Sequence, residues 1–327
     1  MSKRARKRWR RYVLRGLLIL VCIVVGWYVV NRAMSARNAV KVIETESAQT
    51  RGATFSGRLR IAAYNIAHGR GTAGSNWQLG QLDVHRERLR AIGRLLRDEK
   101  LDLVVLNEVD FDSVWSGHVN QARLIAEEGG FPFRAEQREV DTAVPFVSVR
   151  FGNALLSRYP IIEAHRTGFG GDSIWRKVLG ARKRALLCEI ALTSTQHISV
   201  LALHLPVRSE RVRVQWARAI AALRGAADAP LVLAGDFNST PVDFPCATLD
   251  PEGTTAMSVL FESGRWKTLP TGKPAAHELT FSTIKPQSVI DWILIPRDWK
   301  IISKKVIGGE LSDHYAVIME VEVGSEG

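Results

Sequence analysis

From residue 58 onward the chain alternates short apolar runs with amphipathic segments, and this alternation limits the folds open to it. Residues 101–106 are apolar almost throughout, which is typical of a strand buried on both faces. Similar runs predict further strands at 59–66, 151–157, 184–192, 197–205, 231–235, 289–295 and 314–323. Residues 83–98 and 208–224 instead place apolar side chains at helical spacing. Many strands with few helices predict a layered α/β domain, in which sheets pack on each other beneath helices.

Composition narrows the class of protein. The 327 residues are 46% hydrophobic and 24% charged, which argues against disordered, collagen-like and multi-span membrane proteins. The three cysteines have neither zinc-ligand spacing nor the number for a disulfide framework. Structural zinc and redox chemistry are therefore disfavoured.

The N-terminus carries the positive charge of the chain. Residues 1–41 contain 11 of the 45 Lys and Arg and no acid, so the remaining 34 bases face 33 acids. Residues 12–30 are apolar apart from Arg15, nearly the length of a membrane span. The basic residues 1–11 predict a cytoplasmic N-terminus, a signal anchor at 12–30 and an extracytoplasmic remainder. That remainder divides into a linker, 31–57, and a folded domain, 58–327.

A cleaved signal peptide is the alternative to this anchor, because Ala33-Met34-Ser35 loosely fits a cleavage site. The protein would then be secreted. Bulky Trp27 and Tyr28 favour a retained anchor at the cell membrane, since such residues form interfacial belts.

Polar side chains interrupt or end several of the apolar runs. Each alone has an ordinary structural explanation, such as a turn or a satisfied core histidine. Buried charges are costly unless they are paired or bind a metal. Because polar and charged side chains recur on several separate strands, they predict one shared polar pocket. The residues are Asn65, Asn107, Glu108, His204, Asp236, Asn238, Asp291, Asp313 and His314.

The side-chain types in this set indicate its chemistry. Glu108 and Asp313 with the amide oxygen of Asn65 form a hard-oxygen site suited to Mg²⁺ or Mn²⁺. His204 and His314 are donors for phosphate oxygens, and an aspartate such as Asp291 orients an imidazole. The chain has neither the G-x-S-x-G motif of serine hydrolases nor a Walker loop.

The order of short motifs resembles the endonuclease/exonuclease/phosphatase superfamily, which includes deoxyribonuclease I and bacterial sphingomyelinases. The motifs are YNI (64–66), NEV (107–109), GNALLSRYP (152–160), HLP (204–206), GDFN (235–238), IDWIL (290–294) and SDH (312–314). The resemblance spans about residues 58–323. It implies a four-layered αββα sandwich of two mixed sheets and Mg²⁺-dependent hydrolysis of a phosphoester.

The resemblance also implies roles for single residues. Glu108 resembles the principal metal ligand, assisted by Asn65 and Asp313. Asp236 resembles the aspartate that orients or deprotonates the attacking water. The other implied roles are phosphate contacts for Asn153, Asn238 and His314, support of His314 by Asp291, and phosphate contact or general acid catalysis by His204. The chain departs from the family in having Asn107 where the metal-binding Glu is usually preceded by Gln.

The sequence leaves the substrate open between a lipid headgroup or glycolipid and a nucleic acid. A membrane tether and a near-neutral domain favour the lipid, and His68 lies in an H-G-R-G loop resembling that of membrane-associated family members. A basic segment around Trp175, ending at Arg184, would grip nucleic acid or an anionic membrane, or form a solvated loop. An extracytoplasmic nuclease is therefore the alternative.

A catalytically inactive binding module is disfavoured because the motif residues are present. The expected partners are the phosphoester substrate and the membrane, with no obligate protein partner evident.

Overall fold

The computed structural model describes residues 3–35, 40–44, 54–77, 81–170, 183–225 and 229–324. Within these ranges the helices are α1 (Lys3–Met34), α2 (Leu82–Asp98), α3 (Gln121–Gly129), α4 (Glu210–Ala221) and α5 (Ala256–Glu262). The strands are β1 (Val40–Glu44), β2 (Arg58–Asn65), β3 (Leu103–Asp110), β4 (Phe133–Val144), β5 (Val147–Ser157), β6 (Ile161–Thr167), β7 (Ala185–Ala191), β8 (His197–His204), β9 (Leu231–Asp236), β10 (Trp266–Lys267), β11 (Asp291–Pro296), β12 (Lys300–Ile307) and β13 (Ala316–Glu322).

These strands form two mixed sheets. The first has the order β1-β4-β5-β3-β2-β13-β12 and the second the order β10-β11-β9-β8-β7-β6. Each contains one parallel pair, β2 with β3 and β8 with β9, while the other paired strands run antiparallel. Parallel neighbours end at the same edge of a sheet, which makes that edge the place where loops from several strands meet.

Three apolar clusters separate four layers. Side chains such as Val105 and Val200 fill the space between the sheets. Leu89 and Ile92 on α2 pack with α3 on the outer face of the first sheet. Trp216 on α4 packs with α5 on the outer face of the second. The predicted αββα sandwich is confirmed.

The eight strands and two helices predicted from apolar patterning are present, with shifts of a few residues at their ends. The sequence patterns did not indicate β4, whose sequence FRAEQREVDTAV carries charges on both faces. Residues 40–44, inside the predicted linker, instead form the edge strand β1, with Val40 opposite Gln137 of β4. A five-residue strand is stable only through such pairing, so its sequence alone carries little signal.

Helix α1 is long and apolar enough, by length and composition, to cross a membrane. Its apolar stretch is exposed rather than buried inside the protein, unlike the core helix of a soluble domain. A signal sequence would meet the same criterion of length and composition. The helix therefore fits either a membrane anchor or a signal sequence.

Candidate active site

The parallel strand pairs bring the predicted site residues together at one edge of the sandwich. Asn65, the last residue of β2, pairs with Asn107 near the end of β3, and His204 and Asp236 end β8 and β9 at the same level. The Asn65 amide joins the two sheets, donating from Nδ2 to Asp236 Oδ2 at 3.0 Å. The predicted pocket is thus assembled from the carboxyl ends of strands in both sheets.

Asn107 supplies a second bridge between the sheets. Its Nδ2 donates to Asn153 Oδ1 at 2.7 Å, and its Oδ1 accepts from the backbone N–H of Asp236 at 2.8 Å. The side chain is fully buried. The shorter amide at this position therefore has both ends engaged, and one of them fixes the backbone of Asp236.

Glu108 lies at the centre of the pocket and is 21% exposed at its side chain. It sits in an irregularity of the β3–β5 pairing with φ +53°, in the left-handed region that bulky residues rarely adopt. Burial by itself would raise the pKa of Glu108, but the positive groups around it, led by His68, outweigh burial and lower the pKa to about 2. The carboxylate is therefore ionised at neutral pH.

Backbone strain is concentrated around this carboxylate. Ala67, His68 and Asn238 also have φ between +48° and +53°. Such conformations cost about 1–3 kcal/mol each and cluster at functional sites. Four such residues at one strand edge make it a candidate functional region of the domain.

His314 and Asp291 form a buried pair beside Asp236. His314 Nδ1 lies 3.0 Å from Asp291 Oδ2, and its Nε2 lies 3.9 Å from Asp236 Oδ2. Burial lowers the pKa of His314, but the surrounding carboxylates, led by Asp291, outweigh burial and raise it to about 10. The raised pKa favours the imidazolium form of His314, and the contact with Asp291 is the one that the family resemblance leads us to expect.

The carboxylate of Asp236 is buried in the pocket. Burial and the charge of Asp291 raise its pKa, while His314, the backbone N–H of Asn238 and the amide of Asn65 oppose that rise. Its two oxygens differ, because Oδ1 accepts from the N–H of Asn238 at 2.8 Å and Oδ2 faces the pocket.

His204 faces the same pocket from β8. Burial and the charge of Lys183 lower its pKa well below the usual value, so the ring is neutral. Among the described residues its buried Nε2 has no hydrogen-bond partner, and it lies 3.8 Å from Glu108 Oε1 and 3.9 Å from Asp236 Oδ2. An unpartnered nitrogen between two carboxylates is positioned to meet a ligand in the pocket.

Arg70 closes the pocket opposite His204. Its Nη2 lies 2.6 Å from Asp313 Oδ2 and its Nη1 lies 3.6 Å from Glu108 Oε2. The other oxygen of Asp313 is buried and has no hydrogen-bond partner within the part of the chain that the structure describes. Sequence reasoning noted the loop containing Arg70 but gave this residue no role.

A divalent cation fits Glu108 and Asp313 better than the other carboxylate cluster. Asp236, Asp291 and His314 bring ligand-type atoms within 4.8 Å of one another. A metal bound there would have to displace the proton that Asp291 and Asp236 favour on His314. Glu108 and Asp313 already converge on one positive group, and their oxygens are of the hard type that Mg²⁺ selects.

Asn65 is oriented differently from its predicted ligand role. Its amide nitrogen, not its oxygen, faces Glu108, at 3.3 Å from Oε1, and its oxygen accepts from the N–H of Ala67 at 3.0 Å. A ligand role for Asn65 requires the amide to turn over and lose the Ala67 bond.

Asn153 lies behind the pocket. It is fully buried, and its Nδ2 donates to Gln137 Oε1 at 3.0 Å and to Glu139 Oε1 at 3.1 Å. With its oxygen held by Asn107, this side chain supports the site from below, and the geometry does not favour the phosphate contact that the resemblance implied. Asn238 is nearer the surface and donates from Nδ2 to the carbonyl of Leu205 at 3.1 Å.

A second histidine–aspartate pair was not predicted in full. His68 Nδ1 lies 2.8 Å from Asp110 Oδ1, and the other Asp110 oxygen accepts from Trp115 Nε1 at 2.7 Å. Burial lowers the pKa of His68, but Asp110 outweighs burial and raises it. Asp110 follows Glu108 by two residues, so the polar end of β3 was the signal that could have revealed it.

Aromatic rings flank this second pair. Trp115 packs edge-on against His68, with ring centroids 5.9 Å apart, and against Trp77, at 5.8 Å. Trp77 is 72% exposed. The rings form a partly open aromatic wall next to Glu108.

The basic segment is only partly described. Residues 175–182 lie outside the described residues. Arg184 donates from Nη1 to the carbonyl of Lys183 at 2.6 Å, and the Lys183 ammonium lies 3.2 Å from Glu139 Oε2. The described end of the segment thus approaches the buried network behind His204.

Comparisons with known proteins agree with this architecture. Residues 62–314 match a sequence model described as the Endonuclease/Exonuclease/phosphatase family. No curated protein matches the sequence. An endonuclease/exonuclease/phosphatase from Beutenbergia cavernae is similar in structure, with a TM-score of 0.60 and 20% identity, covering 82% of this chain and 72% of that one.

Two further solved structures show the same fold. One from Bacteroides vulgatus has a TM-score of 0.60 and 16% identity, covering 81% of this chain and 99% of the other. D. rerio TDP2 complexed with a single-strand DNA product has a TM-score of 0.53 and 14% identity, again covering 81% and 99%.

Proposed function

The chain belongs to the endonuclease/exonuclease/phosphatase family, whose members hydrolyse phosphoesters, and from this premise we propose that it is a Mg²⁺-dependent phosphodiester hydrolase tethered to a membrane by α1. The convergence of ionised Glu108, Asp236 and two histidines at one strained strand edge is the observation that carries the proposal. These groups together supply the charge neutralisation, water activation and leaving-group assistance that such hydrolysis requires.

Glu108 and Asp313 are the residues that would hold the cation. When bound, Mg²⁺ supplies Lewis acidity at a phosphoryl oxygen. Mn²⁺ has similar ligand preferences and would fit the same oxygens. Arg70 lies between the two carboxylates and its charge interacts with both.

Asp236 is the candidate base for the attacking water. A raised pKa makes this carboxylate a better proton acceptor near neutral pH than an ordinary aspartate. Its Oδ1 is held by the N–H of Asn238 and its backbone by Asn107, so Oδ2 is aimed into the pocket.

The two histidines differ in charge and therefore in role. His314, an imidazolium fixed by Asp291, donates to a non-bridging phosphate oxygen, where it offsets developing negative charge. His204 is neutral, so it would keep its proton, and an N–H at its free Nε2 would assist the leaving oxygen by donating a hydrogen bond to it.

The exposed apolar helix supports a membrane location and hence a lipid headgroup or glycolipid as substrate. In this arrangement residues 1–11 stay in the cytoplasm, α1 is a signal anchor and the sandwich lies outside. A headgroup phosphodiester would then share the membrane surface with the enzyme.

A nucleic-acid substrate is the second candidate. The aromatic wall of Trp77 and Trp115 favours it, because bases stack on exposed aromatic rings. The similarity to TDP2, solved with a single-strand DNA product, supports the same substrate class.

The test compares the full-length protein with Glu108→Gln. Substrates are phospholipid vesicles, single-stranded DNA and RNA, each with Mg²⁺ and with EDTA. We expect turnover of one substrate that EDTA abolishes and that Glu108→Gln lowers by at least about 100-fold, since the charge that holds the cation is lost. Glu252→Gln is the matched control, because Glu252 is exposed and pairs only with Arg218 in the described contacts. Full activity of Glu108→Gln would refute the assignment of the cation site.

A further inference from the structure

The β4–β5 hairpin extends beyond the active-site edge of the first sheet. Strand β5 runs antiparallel to β3, and the last two residues of β3, Val109 and Asp110, pair with Gly152 and Phe151. The residues of β5 before Phe151 therefore continue past the edge, paired with β4, to a two-residue turn at Pro145 and Phe146.

The tip of this hairpin is apolar and strained. Residues 142–149 carry no charge, and Phe146 is 98% exposed. Phe146 also has φ +69°, in a turn position that ordinarily takes Gly. A phenylalanine here costs backbone energy, and its ring is not packed against the described residues of the domain, so it is free to contact a surface outside the domain.

Charged residues close the base of the hairpin. Arg150 Nε lies 3.1 Å from Asp141 Oδ1, and Arg138 Nη1 lies 3.3 Å from Asp141 Oδ2. These three charged side chains thus lie between the apolar tip and the sandwich. Such a change from charged to apolar residues is expected where a protein passes from water into a membrane interface.

The end of α1 is fastened to the same hairpin. Asn31 Oδ1 accepts from the backbone N–H of Ala143 at 2.8 Å, and Ser35 Oγ donates to the carbonyl of Asp141 at 2.9 Å. Arg150 adds a bond from Nη2 to the carbonyl of Met34 at 2.8 Å. Asn31 is buried in this contact.

These bonds fix the relative direction of strand and helix. The two residues from Asp141 to Ala143 span about 7 Å along β4. The four residues from Ser35 back to Asn31 span about 6 Å along α1. The strand and helix therefore run side by side in opposite directions. Continuing β4 leads towards the apolar segment 12–30.

The hairpin tip then lies beside the apolar part of α1. The tip lies two or three strand residues beyond Ala143, a distance of about 7–10 Å. On α1 the same distance spans about five or six residues before Asn31. On this face of α1, Trp27 and Val30 are partly covered, whereas the rest of the apolar segment is exposed.

We propose that the tip, Val144–Val147, inserts into the outer interface of the bilayer that α1 spans, with Phe146 as its apolar anchor. The proposal rests on the membrane tether in the proposed function. Helix and hairpin then form two adjacent attachments that fix the orientation of the sandwich, and its active-site edge faces the membrane. Ser148 pairs with Ala143, which contacts Asn31, and Asn153 follows Ser148 by five residues. Asn153, behind the pocket, therefore lies about 17 Å along β5 from the level of Asn31.

Depth-dependent fluorescence quenching in the full-length protein tests this insertion. Cys22→Ser and Cys246→Ser remove the two exposed thiols and leave buried Cys188. An environment-sensitive dye is attached at Phe146→Cys or, as control, at Ile162→Cys. Ile162 is 52% exposed and lies at the opposite edge, next to Ile161, which pairs with Ile190. The protein is reconstituted in phosphatidylcholine–phosphatidylglycerol vesicles with or without doxyl-labelled lipid.

We expect blue-shifted emission and quenching by doxyl lipid at position 146 only. Equal exposure to water at positions 146 and 162 would overturn the insertion, and so would quenching that depends on protein concentration, which indicates a second copy on the tip. Neither readout requires turnover. A protein that inserts but hydrolyses no phosphoester would therefore contradict the proposed function and leave the insertion unaffected.

A second variant links insertion to the substrate. Phe146→Asp should lower turnover of a vesicle-borne phosphodiester by about tenfold, the effect of exposing one Phe side chain. Turnover of a water-soluble phosphodiester should be unchanged, and Ile162→Asp should change neither. Equal loss on both substrates would contradict an orienting role.

Discussion

Asn107 provides the sharpest test of how the two sheets are joined beneath the site. Replacing it with Leu keeps the side chain close to its original size and removes two hydrogen bonds, one to Asn153 within the first sheet and one that crosses the sandwich to Asp236. Asn153 Oδ1 and the backbone N–H of Asp236 are then left buried, losing bonds of 2.7 and 2.8 Å. Each orphaned group costs about 1–3 kcal/mol, so we expect Asn107→Leu to lower the free energy of unfolding by about 2–6 kcal/mol.

The assay is urea unfolding of the full-length protein in mild detergent, followed by tryptophan fluorescence. Gln287→Leu is the control, because this amide is exposed and its replacement should change stability by less than about 0.5 kcal/mol. The double variant Asn107→Leu with Asn153→Leu removes one orphaned oxygen, so its cost should be smaller than the sum of the two single costs by at least about 1 kcal/mol.

Two outcomes would refute this reasoning. One is an Asn107→Leu protein as stable as the Gln287→Leu control. The other is strict additivity in the double variant. A fall in kcat with little change in KM should accompany the loss of stability, because the backbone of Asp236 is no longer fixed.

Two further predictions concern the pocket itself. Gly235→Ala should prevent folding, because Gly235 has φ +135° and an added Cβ would meet Leu203 O at 2.0 Å. Circular dichroism should show the loss of structure. Gly272→Ala is the control and should fold normally, because an added Cβ there meets open space. Arg70→Met should tighten Mg²⁺ binding by severalfold, because it removes a positive charge 3.6 Å from Glu108; weaker binding in a calorimetric titration would contradict this effect.

The sequence determined the strands of the core because each is a run of apolar residues that has no favourable alternative to burial. It likewise indicated the site residues, since ionised groups at the ends of such runs are costly unless they share a pocket. Glu108, Asp236 and His314 are close together, as this argument required. The motif order then predicted the family and its four-layered sandwich.

Only the tertiary structure decided how these residues are held. Asn153 stands in a family motif, yet its burial and its bonds place it behind the pocket. Asp110 and Arg70 become part of the site through partners far away in the chain, His68 and Asp313. Such pairings depend on long-range contacts, which local patterning does not encode.

The attachment of α1 to the sandwich is the clearest example of this limit. Sequence alone determined that residues 12–30 are apolar and long enough to span a membrane, because that property depends on composition and length. The direction in which the domain faces depends instead on Asn31 meeting Ala143, 112 residues away. That contact exists only when β4 has paired in the sheet, so the tertiary structure sets the orientation of the active site.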